Sequence, residues 1–67
     1  MNQEIKEQMN KVKEIKRMRE KSFQDRLECF NQNDFKKAEK HIEEYEKLTN
    51  DLIHEQEKLI RMMYISL

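Results

Sequence analysis

The chain has 67 residues, with 14 basic and 14 acidic side chains, zero formal net charge, one cysteine, no glycine and no proline. That length allows one small domain at most. The charge balance argues against a general nucleic-acid binder, which carries a net positive face. The missing glycine excludes a glycine-rich phosphate loop.

Helix one is expected over about residues 2–30. Asn2 is a good N-cap, and Glu4 and Glu7 place negative charge in the first turns, where the helix dipole favours it. Its apolar positions are Ile5, Met9, Val12, Ile15, Met18, Phe23, Leu27 and Phe30. Steps of three to five residues keep them near one stripe. Ser22-Phe23-Gln24-Asp25 has the form of a capping signal. A continuous helix is the preferred reading, because no breaker residue stands there.

The polar cluster Asn31-Gln32-Asn33-Asp34 is the strongest turn signal in the chain. A turn is expected at 31–33, because Asn is the best residue after Gly for the left-handed conformation that closes a helix. Asn33 or Asp34 can then cap helix two, expected over about 34–66. Its stripe is Phe35, Ala38, Ile42, Tyr45, Leu48, Leu52, Leu59 or Ile60, and Met63. A break at Thr49-Asn50-Asp51 would give a three-helix variant.

The fold class is therefore all-α, an antiparallel two-helix hairpin resembling a coiled coil. Facing residue numbers should sum to about 65, as in an antiparallel seam. Phe30 then meets Phe35, Leu27 meets Ala38, Phe23 meets Ile42, Val12 meets Leu52 or Ile53, and Ile5 meets Leu59 or Ile60. The basic segment Lys11–Lys21 lies along the acidic segment Glu39–Glu57. Two helices bury one side each, while ordering the chain costs roughly 1.5 kcal/mol per residue. Completion by self-association or by a protein partner is the expected remedy.

Catalysis has little support. Cys29 has no evident base and reads as a small filler beside Phe30, consistent with a reducing, cytoplasmic setting. Asp51 and His54 form a single carboxylate–histidine pair, which reads as surface, so no metal or other cofactor is expected. Lys11, Lys13, Lys16, Arg17 and Lys21 are the candidate phosphate contacts of an alternative function, a nucleic-acid-binding homodimeric four-helix bundle. No aromatic side chain interleaves with them to stack bases. The acidic run Glu39–Glu57 suits a further alternative, a phage-type inhibitor that blocks a host protein by surface mimicry.

The C-terminal segment 59–67 carries the strongest functional content. Seven of its nine residues are apolar, more than one buried stripe accounts for. With Leu52, the partner-binding candidates are Leu59, Ile60, Met62, Met63, Tyr64, Ile65 and Leu67. A Met-rich helical end adapts well to a partner's groove. The polar turn, the NDFKKAEKHIEEYEKL opening of helix two and the KLIRMMYISL ending resemble the small E-type co-chaperones of bacterial type III secretion systems. The resemblance implies a helical hairpin that pairs with a tetratricopeptide-like chaperone and helps hold a needle subunit in the cytoplasm. Helix two would then carry the contacts through Leu52, Leu59, Ile60, Met63 and Tyr64.

Overall fold

The structure, a computed structural model, describes residues 2–66 as two antiparallel helices, α1 (Gln3–Asn31) and α2 (Phe35–Ile65). Both start as the sequence dictates. The Asn2 side chain accepts a hydrogen bond from the Glu4 amide at 2.7 Å, and Asp34 accepts one from the Lys37 amide at 3.2 Å. Each satisfies an amide that the first helical turn leaves unpaired.

The turn is a Schellman closure. Asn33 takes the left-handed conformation at φ 60. Its amide donates to Phe30 O at 3.0 Å, and the Asp34 amide donates to Cys29 O at 2.8 Å. These two bonds satisfy the last carbonyls of α1. Asp34 both finishes the closure of α1 and caps α2, so no residue between the helices is spare.

Both helices run without interruption, which removes the three-helix variant. The Ser22 hydroxyl donates across the hairpin to Glu44 at 3.3 Å instead of capping its own chain. Thr49 Oγ1 donates to Tyr45 O one turn back at 2.8 Å. Such a bond lets a hydroxyl residue sit inside a helix without breaking it.

The hairpin is thin. It measures 51 × 16 × 10 Å, with a radius of gyration of 15.3 Å, against about 11 Å for a compact chain of this length. Its buried apolar residues are Ile5, Val12, Ala38 and Leu52, joined by buried Gln8 and Ser22. The expected pairing holds at the turn, where the Phe30 and Phe35 rings meet edge-on at 5.7 Å. Val12 and Leu52 are both buried as expected. Phe23 packs on Tyr45, with ring centroids 5.9 Å apart. Leu27 is exposed although Ala38 is buried.

Candidate interaction surface

The seam of α1 follows alternating steps of three and four: Ile5, Gln8, Val12, Ile15, Arg19, Ser22, Arg26 and Cys29. That spacing keeps one line of a slightly supercoiled helix against its neighbour. The matching line of α2 is Ala38, His41, Tyr45, Leu48, Leu52, Glu55, Leu59 and Met62; every member of both lines is buried or half-buried. The seam is therefore polar at several levels, and most of its polar groups are paired; the exception among the described residues is buried Arg26 Nε, whose guanidinium lies over the Phe23 ring, 4.7 Å from the centroid. Gln8 Nε2 donates to Glu55 O at 3.0 Å and to Glu55 Oε2 at 2.7 Å. Arg19 donates from Nε to Thr49 Oγ1 at 2.7 Å and from Nη2 to the Tyr45 hydroxyl at 2.6 Å. Its guanidinium also lies over the Tyr45 ring, 4.5 Å from the centroid.

The two broad faces of the hairpin differ in kind. One is charged. Lys11 reaches Glu55 across it at 3.2 Å, the one ion pair among the described residues that joins the helices. A shallow groove there is lined by Glu14, Lys21, Asp25, Glu44 and Lys47 around Met18 and Leu48. Hydrogen bonding from Gln8, reinforced by Lys11, holds the Glu55 carboxyl below the ordinary carboxylate range. Arg17 does the same to Glu14 within α1.

The other broad face gathers most of the exposed large apolar side chains, among charged ones. The positions one step past the α1 seam are Lys6, Met9, Lys13, Lys16, Glu20, Phe23, Leu27 and Phe30. In an antiparallel pair the corresponding flank of α2 lies on the same side. It carries Phe35, Glu39, Ile42, Glu46, Thr49, Ile53, Gln56, Ile60 and Met63. The Phe30–Phe35 ring contact joins the two flanks. Six of the nine large apolar side chains that stand exposed are on this face: Leu27, Phe30, Phe35, Ile53, Ile60 and Met63. Met18 is on the charged face, and Tyr64 and Ile65 end α2, 77% and 82% exposed.

The predicted partner-binding residues divide accordingly. Leu52 is 7% exposed and is consumed by the hairpin's own seam. Leu59 and Met62 are half-buried there, while Ile60, Met63, Tyr64 and Ile65 are open to a partner. Leu67 lies outside the described residues. Leu27, Phe30, Phe35 and Ile53 are also exposed, although their spacing alone places them on the seam. The regular three-four alternation through Gln8, Arg19 and Ser22 is the signal that separates seam from face.

The basic candidates do not converge. Residues two apart on a helix are about 200° apart, so Lys11 and Lys13 lie on opposite sides of α1. Lys11 is engaged by Glu55, and Arg17 by Glu14. Lys13 and Lys16, three residues apart, are exposed on one flank, and Lys21 is exposed on the other. Among the described residues no three His, Cys, Asp or Glu side chains are grouped to hold a metal ion, and no helix is long and apolar enough to cross a membrane. No family model, no curated protein and no solved structure matches this chain.

Proposed function

We propose that the chain is a protein-binding module, an adaptor or co-chaperone, whose last helical turns dock on a larger protein. One observation carries this reading. Tyr64 and Ile65 are the most exposed large apolar side chains described, and the pairing of the helices leaves nothing of α1 opposite them. Removing such surface from water is worth about 25 cal/mol per Å² before the costs of association. Nothing in the mechanism requires a bond to be made or broken. The likeness to needle co-chaperones supplies a class of partner, a helical-repeat chaperone, whose stacked helices form a concave binding surface. The scattered basic side chains give no support to the nucleic-acid alternative.

Site-specific photo-cross-linking tests the reading. A photoreactive phenylalanine at Tyr64, in the native host, should give one discrete adduct well above twice the 8.4 kDa chain mass. The same probe at Asp51, on the charged face, should give none. Adducts at Asp51 but not at Tyr64, or none at either position, would refute it.

A further inference from the structure

We infer that the broad apolar face is covered by a second copy of this chain, two hairpins packing face to face as a four-helix bundle. The inference concerns a different surface from the docking end at Tyr64 and Ile65, and it does not depend on that reading. It rests first on area. The hairpin exposes 5526 Å², whereas a compact monomer of its mass exposes about 4,600 Å². The excess, about 900 Å², is close to the roughly 800 Å² that each partner buries in a standard specific interface.

It rests next on how that excess is distributed. Leu27, Phe30 and Phe35 crowd the turn half of one face, and Ile53, Ile60 and Met63 continue along α2 on the same side. The opposite face is charged and needs no cover. A closed two-fold contact uses the same patch on both copies, so the patch must complement itself. Apolar side chains set among charges of both signs meet that condition, where a patch of one charge sign would not. The formal net charge of zero also removes the repulsion that keeps identical molecules apart. Packing hairpin on hairpin gives each helix a second apolar neighbour, the arrangement of a four-helix bundle. Ile65 lies on the opposite flank and Tyr64, four residues on from Ile60, borders this face, so the dimer would present two docking ends at the rim of the contact.

Sedimentation equilibrium of the full chain, from about 1 to 200 µM, tests the inference. The expected mass is twice 8.4 kDa, and the melting temperature should rise with concentration, as it does when folding and association are linked. Ile53→Glu puts an unpaired charge in the contact and should weaken the dimer roughly 100-fold or more. Met18→Glu, on the charged face, should leave the mass doubled. If Ile53→Glu does not fold, the concentration dependence of the unaltered chain still decides. A monomer throughout the range, melting at one temperature, would overturn the inference. So would a dimer that survives Ile53→Glu and is lost in Met18→Glu. A monomer that still cross-links at Tyr64 to a heavier protein would refute the dimer and leave the docking reading standing.

Discussion

Truncating Leu52 to alanine should remove a large share of the stability of the hairpin. Leu52 is one of four buried apolar residues among the described residues, and Ala38 and Val12 among them are small. Leu→Ala in a core costs about 2–5 kcal/mol, depending on how far the site can close over the gap. A seam only two helices thick lets water and neighbouring side chains relax into the space, which places the cost near the lower end, about 2–3 kcal/mol. A chain of this size has a total stability of roughly 3–10 kcal/mol. At about 4–8 °C per kcal/mol, the melting temperature should fall by roughly 10–20 °C. Circular dichroism at 222 nm, with all variants at one protein concentration, reads this directly. The control is Met18→Ala, which truncates an exposed side chain of similar size and introduces the best helix former; it should change stability by less than about 1 kcal/mol. Equal losses from both variants, or a larger loss from Met18→Ala, would show that the seam has been assigned to the wrong side of α1.

Two further outcomes follow from the turn and the seam. Asn33→Gly should leave stability nearly unchanged, whereas Asn33→Val, forced to the same positive φ, should lose about 1–2 kcal/mol or more in urea titrations. The Glu55 carboxyl is held low in the folded state by Gln8 and then Lys11, so its contribution is present above the unfolded carboxylate range and is lost as pH falls through the lower folded value. Urea midpoints measured from about pH 6 down to pH 3 should therefore decline below about pH 4.3. Glu55→Gln should flatten that decline, and an unchanged pH slope would remove Glu55 as its source.

The helices and the turn were legible because their signals are local. Asn2 and Asp34 cap through their own side chains, and Asn33 tolerates a positive φ. The complete absence of Gly and Pro leaves no such residue to interrupt either helix. The rotation of each helix about its axis was less legible. Met18, Leu27 and Phe30 joined Ile5 and Val12 in one apolar stripe, but this stripe combines the seam with positions on either side of it. Apolarity does not distinguish a residue facing the sister helix from one facing outward. The distinction lay with polar residues. Gln8, Arg19 and Ser22 are admitted to the seam because Glu55, Thr49, Tyr45 and Glu44 answer them across it, and no reading of one helix alone contains that information. The exposed end of α2 was legible because its apolar density exceeds what one contact line can use. That Leu52 is spent inside the hairpin follows only once the seam is placed.

The double duty of Asp34 makes the connection a phase-setter. Adding one residue between Asn33 and Asp34 would turn α2 by about 100° relative to α1, swinging Tyr45 away from Arg19 and carrying Ile53 and Ile60 off the side they share with Phe23. The bend must therefore keep its residue count for the greasy and the charged sides to stay apart.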